Sequence, residues 1–160
     1  MMTKFKITHA CGHEVTHAYA GPEGARQQRE EWLRKRPCQV CWRDEQAGAA
    51  LAQSQEWGLP PLEGSVENVA WAQVIRAKAI FHNRDYHKRL VGSKGLEKQD
   101  EQLRHAIVAA ADDALREIEG QVSAAWWIEH RFDSLNYIRE KTALAIAPIM
   151  DTPDEQGVGS

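Results

Sequence analysis

The chain has 160 residues, of which 42% are hydrophobic, and a formal net charge of −3, a balance that suits one modest domain or a small domain with an appended metal-stabilised module. No apolar run approaches the ~20 residues needed to cross a bilayer, no signal-peptide core is present, and three cysteines do not make a secreted disulfide framework; a cytoplasmic chain is expected. Residues 1–46 carry 8 basic and 6 acidic groups, 66–94 carry 6 and 2, and 95–160 carry 6 and 13, so the basic surplus that marks a sequence-independent nucleic-acid binder is modest and local.

Residues 5–19 alternate like a half-buried hairpin turning at Cys11-Gly12-His13. Gly21-Pro22-Glu23 starts a helix over about 22–36, whose basic end suits the negative pole of its dipole. Pro37 then opens a turn or helix carrying Cys38 and Cys41, and the Ala- and Gln-rich stretch to Trp57 is expected to be helical. Gly58-Leu59-Pro60-Pro61-Leu62-Glu63-Gly64 marks the clearest boundary. Ser65 caps a predicted helix to about Leu90, with Val66, Val69, Ala70, Val74 and Phe81 at helical spacing. A further helix is expected at 96–119, with a stripe at Leu96, Leu103, Ile107, Ala110, Ala114 and Ile118. Residues 123–147 read as one helix, or two separated near Asp133-Ser134, with Trp126, Trp127, Ile128, Leu135, Ile138 and Leu144 as core. Pro148 is expected to stop it, leaving a disordered acidic tail at 148–160. The fold class is therefore mainly α with a small β-hairpin: an N-terminal zinc ribbon with flanking helices (1–57), a linker (58–64), and a C-terminal bundle of three or four helices (65–147).

Cys11-x-His13, a 24-residue gap and Cys38-x2-Cys41 form a Cys3His set, a standard closed complement for one structural zinc ion. All three cysteines belong to it, and Gly12 and Pro37 suit the tight turns from which each pair would grip the ion. His9 and His17 remain rivals for the histidine position. Overlapping the set is His13-Glu14-Val15-Thr16-His17, a literal H-E-x-x-H. A metallopeptidase needs those histidines one turn apart on a helix. Here the segment alternates as a strand, on which they would stand ~13 Å apart, so the motif reads as a decoy and no catalytic residue is assigned.

His82 and His87 fall about 140° apart on a helix, on different faces. Arg76, Lys78, Arg84, Lys88 and Arg89 form either a partner-binding patch or a solvated helix face. Asp112, Asp113, Glu117 and Glu119 read as a charged outer face, without a third ligand at metal spacing. Trp126 and Trp127 cannot both point inward, since neighbours on a helix differ by about 100°. The core is favoured for them, and whichever is left exposed would mark a partner site.

The Cys-Gly-His-Glu turn, the Gly-Pro-Glu helix start, a Trp-Leu step and Pro-Cys-x-x-Cys together resemble the N-terminal zinc ribbon of small uncharacterised proteins of phages, plasmids and other mobile elements. Gly58-Leu59-Pro60, Leu62-Glu63-Gly64-Ser65, Trp71-Ala72 and Ile75-Arg76 match that group's linker and helix start, and Trp126 to Arg131 resembles its later tryptophan motif. Pro61 and residues 96–119 have no counterpart there. The resemblance implies zinc and a mobile-element setting, not a chemistry. The expectation is a non-enzymatic binding protein acting by protein–protein contact on a host complex, with inhibition of a defence system such as CRISPR as one specific form. The alternative is a nucleic-acid-binding accessory protein using the ribbon and the 66–94 helix; a metallopeptidase comes third.

Overall fold

The computed structural model describes residues 2–150; of the tail expected at 148–160, residues 148–150 are helical and 151–160 lie outside the described residues. The fold is mainly helical, with one antiparallel hairpin at its N-terminus. The chain divides into two compact units, residues 1–49 and 50–160.

In the first unit β1 (Thr3–Thr8) pairs with β2 (Glu14–Tyr19) in the register Phe5↔His17 and Ile7↔Val15. Residues 9–13 form the connection, and Gly12 sits at φ 87°, a left-handed conformation open to glycine at little cost. Helix α1 (Glu23–Arg34) follows. Pro22 stands just before its first turn in an extended conformation, one position earlier than expected. Helix α2 (Gln39–Glu56) begins just after Cys38. Few side chains are buried in this unit: Ile7, Leu33 and Cys38, with the polar His9. So small an apolar centre does not hold a fold by burial alone.

The second unit is built on α3 (Val66–Val91), α5 (Glu101–Glu119) and α7 (Tyr137–Met150), with short helices α4 (Lys94–Glu97) and α6 (Ala124–Glu129) and a 3-10 turn at Asp133–Asn136. Side chains cap the starts as the sequence requires: Ser65 accepts from the Asn68 N–H, Ser93 from Leu96, Asp100 from Leu103 and Ser123 from Trp126. The predicted 96–119 helix is therefore two helices, because Asp100 caps a fresh start rather than continuing the first. Pro148 lies inside α7, so it does not stop the helix. Proline there removes the one backbone hydrogen bond that position 148 would give the Leu144 carbonyl, a cost the helix carries rather than a stop.

The core joins Leu62, Ala72, Ala79, Ile80, Ile118, Ala124 and Trp127, and a second cluster unites Ala111, Ala114 and Ile138. Alanines at these contacts let helix backbones approach closely. The inward face of α3 is not the expected one. Val66, Val74 and Phe81 are exposed, while Ala72, Gln73, Arg76, Ala79, Ile80 and Asn83 are buried. Leu144, expected in the core, is also exposed.

Residues 58–64 are not a free linker. Leu62 enters the core, the Glu63 N–H donates to the Val122 carbonyl at 2.7 Å, and the Ala124 N–H donates to the Glu63 carbonyl at 2.9 Å. Arg76 donates to the Pro60 carbonyl at 2.6 Å. Gly64, at φ 149°, brings its backbone so near α6 that a Cβ there would lie 3.0 Å from that of Ala124. The division between units falls upstream, inside α2. Among the described residues no helix is long and apolar enough to cross a membrane.

Candidate metal centre

The hairpin connection and the start of α2 bring four ligands together. The Arg36 carbonyl accepts two hydrogen bonds from the hairpin end, from the Ala10 N–H at 3.0 Å and from His9 Nδ1 at 3.2 Å. Because Pro37 and Cys38 follow directly, this staple sets the second ligand pair against the first. The His9 N–H donates to the His13 carbonyl and the Gly12 N–H to the His9 carbonyl, both at 2.9 Å, closing the turn that presents Cys11 and His13.

Ligand atoms of Cys11, His13, Cys38 and Cys41 all lie within 4.8 Å of one another, close enough to hold one metal ion. His13 Nδ1 is 3.7 Å from Cys38 Sγ and 3.2 Å from Cys41 Sγ. A tetrahedral zinc with ordinary Zn–S and Zn–N bonds sets that edge at ~3.6 Å, so the two distances bracket the geometry of the ion. Three thiols and an imidazole are also the donor set that zinc favours.

Electrostatics of the cluster point the same way. The Cys38 N–H donates to Cys11 Sγ at 3.2 Å; that bond first, and the His13 backbone second, lower the Cys11 thiol to about 6. The adjoining Cys38 side chain, then burial, push Cys41 up to about 11. Adjacent thiols resist ionising together unless a cation neutralises them.

The rival histidines are engaged elsewhere. A carbonyl only accepts, so His9 Nδ1 donates to Arg36 and its Nε2 is left as acceptor. His17 then donates from Nε2 to His9 Nε2 at 2.9 Å. Burial first, then His9 and Arg29, lower the His17 pKa, which favours the neutral ring, whose Nε2–H tautomer makes this bond. The H-E-x-x-H segment lies on β2 and the turn before it rather than on a helix. Glu14 faces solvent, 3.5 Å from Lys6.

The partner-binding residues read from the sequence are dispersed. Arg76 is 1% exposed and Trp127 0%, so neither belongs to a contact surface. Arg76 is held by the Pro60 carbonyl and by Gln73 Oε1 at 3.1 Å, and Trp127 donates its indole N–H to the Gln121 carbonyl at 2.9 Å. Arg84 pairs with Glu119 at 2.5 Å and Arg89 with Asp85 at 3.0 Å. Of the five cations singled out, only Lys78 and Lys88 are exposed without an ion-pair partner among the described residues. Trp126 is half-buried, edge-on to Trp127. The residues that sequence reasoning missed are Trp71 and Phe81, exposed on α3, and Trp32 and Trp42, about half exposed in the first unit. For the α3 pair, the signal was apolar side chains on the face opposite a row of small ones.

Compared with known proteins, the chain matches no family model, no curated protein and no solved structure.

Proposed function

We propose that the chain is a non-enzymatic binding protein in which one structural zinc, held by Cys11, His13, Cys38 and Cys41, maintains the N-terminal unit while α3 docks on a protein partner. Four protein ligands complete a tetrahedron and leave no position for water or substrate, which is the character of a structural site. The observation that carries the docking reading is the apolar stripe of α3. Trp71 is 52% exposed, Val74 37% and Phe81 60%, and together they occupy about 80° of the helix circumference. Exposed aromatics on a rigid helix are the anchors that protein interfaces use. A mobile-element setting, and inhibition of a host defence complex as its specific form, rest on the motif resemblance alone.

A nucleic-acid reading is favoured by one observation in the first unit. The Arg36 guanidinium lies 4.1 Å over the Trp32 ring, and exposed Trp32 and Trp42 provide stacking faces. The helix expected to supply the basic patch, however, offers only Lys78 and Lys88 of the cations assigned to it.

The deciding experiment is capture of partners from host lysate by tagged wild-type protein and by a Trp71→Ser/Phe81→Ser variant, each with and without nuclease. A complex that survives nuclease and moderate salt, and is lost in the variant at unchanged zinc content and helicity, supports docking through α3. Capture abolished by nuclease or steeply weakened by salt transfers the reading to nucleic acid.

A further inference from the structure

In the second unit the end of α5, α6, the 3-10 turn and α7 enclose an open cleft of about 300 Å³. We propose that this cleft is a binding site for an alkylammonium cation. The site is independent of the α3 stripe and of the metal cluster.

One wall of the cleft is aromatic. The His130 ring lies against that of Trp126 with centroids 4.4 Å apart and planes inclined by 31°, and Tyr137 meets Trp126 edge-on at 6.1 Å. Aromatic faces attract cations through their quadrupole, and ammonium groups are the usual guests of such walls. The remaining wall is acidic: Glu117, Asp133 and Glu140 line the cleft against one ammonium, that of Lys141. His130 Nδ1 is 3.0 Å from Asp133 Oδ2, and this hydrogen bond is the leading cause of a lowered Asp133 pKa, which keeps that carboxylate charged. Among the described residues Glu140 has no ion-pair partner.

The cleft already holds a guest of the proposed kind at its edge. Lys141 Nζ stands 5.4 Å over the Tyr137 ring and 3.9 Å from Glu117, so the chain's own alkylammonium makes at this edge the two kinds of contact, aromatic ring and carboxylate, that Trp126, Asp133 and Glu140 repeat further along the lining.

The same observations exclude other guests. A divalent metal needs several free ligands converging on one point. Here Asp133 is engaged by His130 and Glu117 by Tyr137, and among the described residues only the cysteine cluster converges to metal distance. A nucleotide is excluded by its charge. The volume lies at the small end of ligand pockets, fitting a linear amine or the end of a lysine side chain. A free diamine and a lysine of a partner protein share this chemistry.

The test uses the full zinc-loaded chain, with indole N–H resonances followed by NMR during titration with n-butylammonium, putrescine, Nα-acetyl-lysine methylamide and, as neutral control, n-butanol. The amines are expected to shift the Trp126 resonance saturably and butanol to leave it unmoved. Glu140→Gln should weaken amine binding roughly two- to fivefold at unchanged helicity, the worth of one partly screened ion pair. Tighter binding of putrescine identifies a free diamine as the natural guest; tighter binding of the lysine derivative identifies a protein side chain. Absence of saturation with every amine, an equal response to butanol, or affinity unchanged in Glu140→Gln overturns the proposal.

Discussion

A thiol that shares its surroundings with two others carries a charge problem that a cation resolves. Cys11 is readied for ionisation by the Cys38 N–H, while Cys41 is held protonated by its neighbours; an ion at the centre of the four ligands removes the conflict. The histidine positions separate just as clearly in their partners. His13 is expected to be indispensable and His17 dispensable for the metal. His13→Ala should lose stoichiometric zinc, measured by elemental analysis after dialysis, whereas His17→Ala should retain it and lose only the hydrogen bond to His9. Retention of zinc by the first variant with loss by the second would exchange their assignments. Asn83 is the other residue whose role is set by three contacts at once. Its amide donates to the Ala79 and Ser134 carbonyls at 2.8 Å each, and its carbonyl accepts from the Ile138 N–H at 3.0 Å. Asn83→Ala leaves the Ser134 carbonyl and the Ile138 N–H without this partner. A loss of about 2–4 kcal/mol is expected in urea unfolding, since each stranded buried group costs roughly 1–3 kcal/mol.

At the level of elements, the hairpin, the starts of α1 and α3, and the breaks at Gly92 and Gly120 were readable in the sequence because each depends on local chemistry: alternation, a capping side chain, or a residue that ends a helix. The ligand set was readable for the same reason, as residue type and spacing carry it. What escaped was tertiary. On α3 Val66, Trp71, Val74 and Phe81 point outward, and the buried face is made of Ala72, Ala79 and Ile80 with Gln73, Arg76 and Asn83. A hydrophobic stripe gives the wrong side when close helix approach demands small residues and a polar latch holds the next turn. Arg76 read as a surface cation because arginine usually is one; its burial lowers its pKa, and the Pro60 carbonyl, not an acid, receives its charge. Asp100 was passed over inside a helical pattern, since only its hydrogen bond to the Leu103 N–H at 2.8 Å reveals a cap.

Across the whole molecule the two units draw on different sources of stability. The second has an apolar core around Trp127, whereas the first buries few apolar side chains and holds four side chains close enough to bind one metal ion. Metal binding energy is folding energy in such a unit. Chelation, or Cys38→Ser, is therefore expected to expose residues 2–49 to limited proteolysis while most helical ellipticity, carried by residues beyond 50, persists. A variant that keeps both its metal and its protease resistance would refute the ligand assignment. The pairing of Glu63 with Ser123 bears on how such a chain can be inherited in pieces. Exposed glycine- and proline-rich segments are normally where recombination junctions are tolerated, and residues 58–64 look like one. A junction there would strip the bundle of Leu62 and of the carbonyl that receives Arg76. The seam along which one half can be exchanged for a foreign module lies earlier, inside α2 beyond Cys41, where the two units divide.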